Sequence, residues 1–320
     1  MVKIKSKGKG LCLVTGGSGF VGYHIVRRLL DEGYSVRVID NLSRNCNNIL
    51  DLEKEGKVEF IHGDIRYDDT VRKVMKDVDY IFHEAAICIN RSKEFPKEAI
   101  DVNLVGSFNI FQAAIDFGVK KVVFASTSSV YGQPEYLPVD EKHPLNPQTP
   151  YESAKLCAEH MLKFLAKKHN IKYNILRYFN VYGKKQSTDA YYTSVINTFI
   201  KRVLAGEPPV INGKGDQSMD FTHVSDVVEV NMRALESDIS GEVFNVAKGE
   251  ETTIAEVANI ILKHCNSKLK PTFIEREVLV TRRRADTSKI KKMLNYEPKV
   301  SFTEGIKEVI KDIKENPQDY

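Results

Sequence analysis

The sequence lacks a strong excess of charge of either sign. Its 320 residues include 47 basic and 43 acidic side chains, which leaves a formal net charge of +4. Four lysines within the first nine residues equal that whole excess, so the rest of the chain is close to neutral. A protein that binds nucleic acid needs a basic surface to meet the phosphates. We therefore expect no nucleic-acid partner.

The sequence also lacks long apolar runs and paired cysteines. No run reaches the ~18 apolar residues that a membrane-spanning helix requires, and the opening MVKIKSKGKG has no apolar signal-peptide core. The five cysteines show no metal-site spacing, and their odd number does not suggest a disulfide framework. These absences predict a cytoplasmic protein with no membrane partner and no bound metal.

The first half of the chain alternates β-rich runs with helical patterns. Such alternation is typical of a parallel sheet covered by helices on both faces. The run KVVFAS is nearly continuous in apolar residues, as expected of a strand buried on both sides. After Arg177 the rhythm loosens, and prolines and glycines separate shorter elements.

We therefore predict an α/β fold of two domains. Residues 1–177 are expected to form a Rossmann-type doubly wound parallel sheet. Residues 178–320 are expected to form a smaller mixed α/β lobe, mainly for substrate binding, with chain crossings back to the first domain. No internal repeat or low-complexity segment is present in the sequence.

A glycine-rich loop follows the first predicted strand, Leu11 to Val14. Gly16, Gly19 and Gly22 form a G-x-x-G-x-x-G pattern ahead of a predicted helix. In a dinucleotide site the first glycine makes the tight turn, the second admits the pyrophosphate, and the third lets the helix pack on the strand. The helix N-terminus then faces the phosphates. Without further context the same pattern is also compatible with an ordinary strand-to-helix turn.

Acidic residues at the ends of the next two predicted strands strengthen the case for a dinucleotide. Asp40 lies about 20 residues beyond the loop, where a carboxylate accepts hydrogen bonds from ribose hydroxyls. A carboxylate there repels a 2′-phosphate, so NAD is favoured over NADP. Asp64 could accept from the adenine amino group, or it could simply cap a turn. Arg44 is interpreted as a solvated loop residue.

A tyrosine and a lysine lie four residues apart on a predicted helix. Tyr151 and Lys155 would share one face, and a nearby ammonium group stabilises a phenolate and so makes tyrosine a usable base. An isolated pair of this kind is usually part of a solvated helix face. Just upstream, residues 126–129 read STSS at the carboxyl end of a predicted strand. Open α/β sheets bind ligands there, although such a run also suits a polar turn.

Taken together, these segments resemble the extended short-chain dehydrogenase/reductases of the nucleotide-sugar epimerase and dehydratase type. The resemblance covers nearly the whole chain and includes TGGSGFVG, DNLS, GDIR, HEAA, SSVYG, LRYFNVYG, DFTHVSDVV and FNVA. It implies NAD as cofactor and Thr127, Tyr151 and Lys155 as catalytic residues. It implies cofactor contacts at Gly16, Gly19, Phe20, Val21, Gly22, Asp40, Asn41, Ser43, Asp64, Ile65, Ala85, Ala86, Asn103, Ser126, Tyr151, Lys155 and Tyr178. It implies substrate contacts at Thr127, Ser128, Ser129, Asn180, Asn212 and Arg276.

Within this family the loop after Thr127 separates the reactions. Dehydratases carry an acidic pair there, and decarboxylases commonly carry a glutamate at the position of Ser129. The loop here reads TSSV and has no acid. The resemblance therefore implies a 4-epimerase of the UDP-glucose/UDP-galactose type, with UDP-N-acetylglucosamine and UDP-glucuronate as further substrates to consider. Such an enzyme transiently oxidises the sugar to a 4-keto form. The alternatives are a dehydratase, a 4-ketoreductase or a non-catalytic NAD-binding sensor.

The chain departs from the family pattern at several positions in its second half. Met219 replaces an arginine that binds substrate phosphates in the family. Val278 and Leu279 replace the Gly-Asp pair that the family usually has shortly after the position of Arg276. In the run TRRRAD the default interpretation is a solvated charge run, yet Arg283 falls near the sugar pocket of 4-epimerases. There it could restrict bulky groups, meet a carboxylate or replace the lost phosphate contact. The resemblance also implies a homodimer formed through the helices predicted at Ala99 to Phe117 and Tyr151 to Lys168.

Overall fold

The computed structural model describes residues 8–44, 48–186, 188, 194–275 and 281–320. Its strands are β1 Leu11–Thr15, β2 Ser35–Asp40, β3 Glu59–His62, β4 Tyr80–His83, β5 Lys121–Thr127, β6 Lys172–Tyr178, β7 Asn180–Tyr182, β8 Val210–Asn212, β9 Ser218–Met219, β10 Phe221–His223, β11 Glu242–Val246, β12 Thr252–Thr253 and β13 Thr272–Ile274.

The helices lie between these strands and after them. The α-helices are α1 Phe20–Asp31, α2 Leu50–Lys54, α3 Asp68–Val74, α4 Ile89–Glu94, α5 Pro96–Ile100, α6 Ser107–Asp116, α7 Pro150–His169, α8 Val195–Leu204, α9 Val224–Glu236, α10 Ile254–His264, α11 Ser288–Leu294 and α12 Phe302–Glu315. A π-helical segment, Asp101–Gly106, joins α5 to α6. Short 3₁₀ segments are Ser128–Tyr131 and Pro317–Asp319.

The central sheet confirms the predicted α/β class. Among the described residues it contains seven strands in the order β11-β6-β5-β4-β1-β2-β3. The pairs from β3 through β2, β1 and β4 to β5 are parallel. The strand order reverses between β1 and β4, and open parallel sheets bind ligands at the carboxyl edge of such a switch point. The glycine loop follows β1, and the segment HEAA begins at the end of β4.

The chain divides into two compact units, each built from several segments. The first contains residues 1–130, 147–177 and 228–244, and the second contains residues 131–146, 178–227 and 245–320. In the first unit, apolar residues of the strands pack with α6 and α7 around Phe111 and Phe124, which are almost fully buried. In the second unit, α8, α10 and α12 enclose a separate cluster that includes Phe199 and Ile261.

No helix among the described residues is long and apolar enough to cross a membrane.

Candidate active site

Two of the three loop glycines are required by close packing within the protein. Gly16 has a left-handed backbone (φ +68°), and a Cβ atom there would lie 2.8 Å from the backbone of Ala85. A Cβ atom on Gly22 would collide with the carbonyl oxygen of Gly16. By contrast, a Cβ atom on Gly19 would meet only the Gly16 oxygen, at 3.2 Å. The space over Gly19 is therefore not filled by protein, which suits the close approach of a pyrophosphate.

The N-terminus of α1 presents backbone N–H groups beside this space. Gly19 is the N-cap residue, no side chain caps the helix, and the first turn contains no acidic residue. The first helical residues are Phe20, which is buried, and Val21, which is half-buried. Uncapped N–H groups and the positive end of the helix dipole favour a bound anion. The loop and α1 thus fit the diphosphate of NAD.

Asp40, the last residue of β2, is held next to the glycine loop. Its Oδ2 accepts the backbone N–H of Ser18 at 3.0 Å, and its Oδ1 accepts that of Leu42 at 2.8 Å. Burial raises the pKa of Asp40, and these two hydrogen bonds act in the opposite direction. Each carboxylate oxygen keeps a second lone pair, which fits a ribose hydroxyl.

Asp64 is already saturated by protein donors. Its oxygens accept from Asn41 Nδ2 at 2.9 Å and from the backbone, Nε and Nη2 of Arg66 at 2.8–3.0 Å. Burial raises the pKa of Asp64, but these hydrogen bonds outweigh it and lower the pKa overall. Because four donors occupy the carboxylate, an adenine amino group would have to displace one of them. Asp64 instead orients Asn41, whose Oδ1 accepts the backbone N–H of the exposed Ser43.

The side chains of Asn103 and Ile65 are buried and contact other protein groups, so neither lies on an open surface. The side chain of Asn103 accepts from the backbone N–H of Ile87 at 3.0 Å and donates to its carbonyl at 3.2 Å. It thereby fixes the chain just beyond Ala85 and Ala86, which are half-buried. The side chain of Ile65 is buried in the core of the first unit.

A buried chain of hydrogen bonds, missed at the sequence level, links the glycine loop to Asn103. The Ser107 hydroxyl donates to the Asn103 carbonyl at 2.7 Å, so it must accept from His83 Nε2 at 2.9 Å. His83 Nδ1 then accepts from the Thr15 hydroxyl at 2.7 Å, and that hydroxyl accepts the N–H of Ala85. Burial keeps the pKa of His83 well below its usual value, which suits this neutral form.

Tyr151 lies in the first turn of α7, and the local sequence explains why the helix begins there. Thr149 and Glu152 form a reciprocal capping box, and Pro150 occupies the first turn. Both features stabilise a helix start. The predicted helix from Tyr151 to Lys168 is thus confirmed to within one residue at each end.

Thr127, Tyr151 and Lys155 come together at the carboxyl end of β5. The side chain of Thr127 hydrogen-bonds to that of Tyr151, and Lys155 Nζ donates to the carbonyl oxygen of Ala125 at 2.9 Å. Burial raises the pKa of Tyr151 to about 12, against the effect of Thr127. Burial lowers the pKa of Lys155 to about 8, against the charges of Glu84 and Glu159. Thr127 and Lys155 are buried and Tyr151 is half-buried, so a hydroxyl, a phenol and an amine meet at a site that keeps some exposure through the phenol.

The four hydroxyl residues 126–129, at the carboxyl end of β5 and just beyond it, lie in different environments. Ser126 donates to Glu159 Oε1 at 2.5 Å, so its hydroxyl is engaged inside the protein. Ser128 is buried, and Ser129 is half-buried and donates its N–H to Thr127 Oγ1 at 3.1 Å. The cofactor contact of Ser126 stays a prediction, and the proton of its hydroxyl is donated to Glu159.

Glu84 is a further residue near the site that the sequence did not identify. It follows β4 directly, and its charge raises the pKa values of both Tyr151 and Lys155. Its place between His83 and Ala85, at the switch point of the sheet, is the signal that could have identified it.

The remaining predicted contacts belong to the second unit. Tyr178 is half-buried, Asn180 donates to the carbonyl of Asp220 through its backbone at 3.1 Å and its side chain at 3.4 Å, and the carbonyl of Asn212 accepts from Gln217. Met219 packs against the core of this unit. Arg276 and Leu279 lie outside the described residues.

The solvated interpretation of the arginine run is wrong for Arg283. Arg282 is exposed and pairs with Glu251 at 2.7 Å, whereas Arg283 is buried and donates to the carbonyl of Gly132 at 2.9 Å. The reason is an extended backbone: β-bridges flank the segment at Arg282 and Ala285. Successive side chains of an extended chain point to opposite sides.

The described residues contain no cluster of His, Cys, Asp or Glu that could hold a metal ion.

Comparisons with known proteins identify the family of the chain. A profile of the NAD dependent epimerase/dehydratase family matches residues 12–247. A Methanocaldococcus jannaschii protein provisionally named a UDP-glucose 4-epimerase is 39% identical over 311 residues, which cover 96% of this chain and 99% of that protein. A UDP-N-acetyl-alpha-D-glucosaminuronate decarboxylase from Bacillus cytotoxicus is 33% identical and covers 97% of this chain and 100% of its own length.

A solved structure extends the similarity to the whole fold. The UDP-N-acetylglucosamine 4-epimerase from Methanobrevibacter ruminantium, in complex with UDP-N-acetylmuramic acid, has a TM-score of 0.92 and 33% identity, with coverage of 97% of this chain and 100% of that one. The chain therefore belongs to the NAD-dependent epimerase/dehydratase family, and it is an enzyme of the epimerase type that uses NAD.

Proposed function

We propose that this enzyme is a nucleotide-sugar 4-epimerase, with Tyr151 as the acid/base. The observation that carries the proposal is the cluster of the buried Thr127 and Lys155 with the half-buried Tyr151 at the end of β5, beside a glycine loop that fits NAD. The phenolate of Tyr151 takes the proton of the sugar 4-hydroxyl, and the same phenol returns a proton after the 4-keto stage. NAD, when bound, supplies a hydride acceptor and then a hydride donor at C4, so the net redox change is zero.

The neighbours of Tyr151 assist the proton transfer. The Thr127 hydroxyl, already bonded to the phenol, orients the substrate oxygen. The Lys155 ammonium stabilises the phenolate, and a bound nicotinamide would supply a second positive charge. In the ligand-free protein, which already contains Lys155, the pKa of Tyr151 is about 12, so a second positive charge is needed to make Tyr151 an effective base near neutral pH.

The loop composition favours epimerisation over elimination or decarboxylation. Residues 127–131 read TSSVY and contain no carboxylate. Epimerisation needs one acid/base, whereas elimination of water needs a second. Glu84 is a carboxylate outside this loop whose charge acts on both Tyr151 and Lys155. Because elimination needs a second acid/base, the substrate assay also measures loss of water.

UDP-glucose and UDP-galactose are the proposed substrates, and UDP-N-acetylglucosamine and UDP-glucuronate are the next to consider. This choice follows the names of the relatives and the sequence resemblance. The side chain of Met219, which packs against apolar residues, provides no phosphate contact of the kind that an arginine would. The proposed substrate contacts are Thr127, Ser128, Ser129, Asn180, Asn212 and Arg276.

We also propose a homodimer that functions in the cytoplasm. Ile100 on α5 and Phe164 on α7 are 47% and 61% exposed, although both are large and apolar. These two helices pack on each other, so a second copy could bury both side chains. The four described cysteines, Cys12, Cys88, Cys157 and Cys265, form no disulfide, as is usual in a reducing compartment.

A substrate panel tests the proposal. Purified protein is incubated with UDP-glucose, UDP-N-acetylglucosamine and UDP-glucuronate without added NAD, and the products are analysed by mass and stereochemistry. A 4-epimerase gives a product of unchanged mass with inverted C4. Loss of water or of carbon dioxide would instead indicate a dehydratase or a decarboxylase, and turnover only with added NADH a ketoreductase.

Tyr151→Phe is the matched variant for the same assay. It should lower kcat by about 10³-fold, within the usual range for loss of a general acid/base, and should leave bound NAD in place. Wild-type turnover in this variant would contradict the assignment of Tyr151. NAD binding without turnover of any sugar nucleotide by the wild type would favour a sensor.

A further inference from the structure

Glu159 on α7 is a fully buried carboxylate with three donors. The Ser126 hydroxyl donates to Oε1 at 2.5 Å, Arg177 Nε donates to Oε1 at 2.9 Å, and Arg177 Nη2 donates to Oε2 at 2.7 Å. The Glu159 side chain is 0% exposed and that of Arg177 is 2% exposed. Ser126 lies on β5, Glu159 on α7 and Arg177 on β6, and all three residues belong to the first unit.

Glu159 lies on the same face of α7 as the catalytic residues. Tyr151, Lys155 and Glu159 follow one another at four-residue intervals on α7, so they lie along one face of the helix. Three consecutive residues of β5 meet them: Thr127 contacts Tyr151, the Ala125 carbonyl contacts Lys155, and the Ser126 hydroxyl contacts Glu159. The strand and the helix are thus joined at three successive turns.

Stability is a poor explanation for this arrangement. A buried ion pair loses the solvation of both charges, and well-packed apolar residues of similar volume are often as stable or more so. What the pair provides is a fixed geometry, because the guanidinium and the carboxylate meet through two parallel hydrogen bonds.

We infer that Ser126, Glu159 and Arg177 are positioning residues that fix α7 against β5 and so hold Tyr151 and Lys155 at Thr127. This inference rests on the proposed function, because it assigns these residues to the same acid/base site. None of the three needs to touch substrate or cofactor. Ser126 thereby changes from a predicted cofactor contact to a support of the catalytic helix.

Two variants test the inference in the NAD-bound enzyme. Ser126→Ala removes one hydrogen bond and leaves the ion pair intact. The double variant E159L/R177M removes both charges of the pair, since a single substitution at Glu159 would leave Arg177 buried and unpaired. It also removes the Glu159 charge that raises the pKa of Lys155, whereas S126A keeps that charge. The matched control is R37M/E59L, which removes another largely buried pair (2.9 Å) between β2 and β3 of the same unit.

A positioning role predicts a loss in kcat without a matching change in binding. A misplacement of about 1 Å costs on the order of 100-fold in rate, so we expect about a 10-fold loss for S126A and about 100-fold for E159L/R177M. The KM for the sugar nucleotide and the bound NAD should stay within about twofold in both, and R37M/E59L should keep the wild-type kcat. Wild-type kcat in both test variants, or an equal loss in the control, would overturn the inference.

Hydrogen exchange gives a measurement that does not depend on turnover. If the wild type converts no sugar nucleotide, the proposed function fails, and the positioning role is then decided by amide exchange in residues 150–159 of the NAD-bound protein. Faster exchange there in S126A and E159L/R177M, but not in R37M/E59L, supports the network. Exchange at the wild-type rate in both test variants contradicts it.

Discussion

Lys155 Nζ lies 2.9 Å from the carbonyl oxygen of Ala125 and donates a hydrogen bond to it. That carbonyl is two residues before Thr127, whose side chain bonds to Tyr151. The bond therefore places the amine beside the same strand end as the phenol. Because burial lowers the pKa of Lys155 to about 8 and raises that of Tyr151 to about 12, protonation of this pair should control activity.

Substitution of Lys155 should shift the pH profile. In the wild type we expect kcat to rise with pH as Tyr151 loses its proton, and we expect the Lys155 cation to favour that loss. Lys155→Met removes the cation, so the rising limb should move to higher pH, and kcat at pH 7 should fall by about 100-fold. Lys155→Arg keeps a charge and should shift the limb less. A profile that is unchanged in K155M would contradict the role of the ammonium group.

Alanine at Gly19 should weaken NAD binding without unfolding the protein. Gly19 has an ordinary backbone (φ −72°), and an added Cβ atom would meet only one protein atom, at 3.2 Å. The methyl group would instead occupy the space for the pyrophosphate, so Kd for NAD should rise at least tenfold, or ~1.4 kcal/mol. Calorimetric titration measures this, with the Tm of the NAD-free protein as a control.

Gly22→Ala provides the contrast. Its Cβ atom would collide with the Gly16 carbonyl, so the Tm of this variant should be lower than that of the wild type even without NAD. Equal Tm values for NAD-free G19A and G22A would show that the two glycines have been assigned the wrong roles.

Asp40→Asn should reduce discrimination between NAD and NADP. The carboxylate repels a 2′-phosphate, and asparagine removes that charge at similar volume while giving up one of the two hydrogen bonds that Asp40 accepts from Ser18 and Leu42. We expect the ratio of Kd values, NADP to NAD, to fall by about tenfold. Asp64→Asn is the control, because Asn41 and Arg66 already occupy the Asp64 carboxylate. A ratio that changes in D64N and not in D40N would point to the wrong carboxylate.

Phe164→Glu should convert a dimer into a monomer. The new charge would have to be desolvated at an apolar interface. Phe273→Glu is the control, because Phe273 is similarly exposed (56%) but lies on β13 in the second unit. Light scattering after gel filtration gives the mass of each variant. A wild-type monomer, or a dimer that survives F164E, would argue against this face as the interface.

Local patterns were sufficient for most elements that carry the candidate site. The glycine spacing predicted the turn between β1 and α1, and a helix was predicted from Tyr151 to Lys168, where α7 begins one residue earlier with a capping box. Both depend on interactions among residues close in the chain, namely backbone turn geometry and helix capping. The predicted strand Lys121 to Ala125 forms but extends to Thr127.

Long-range partners could not be predicted in the same way. Ser126 resembled the other hydroxyl residues in the run, yet its partner is Glu159, 33 positions away. Glu159 itself could have been noticed as a carboxylate on the same helix face as Tyr151 and Lys155. Nothing local indicated that Arg177, at the end of an apolar strand, would neutralise it.

The sequence by itself determined the order of strands and helices, the glycine loop, and a phenol and an amine on one helix face. These follow from periodicity and from backbone preferences, which act over a few residues. Only the tertiary structure decided which polar side chains remain open to a ligand: Asp40 retains lone pairs, Asp64 is saturated, and Ser126 turns inward. The physical reason is that burial obliges each polar group to find a partner, and those partners come from distant parts of the chain.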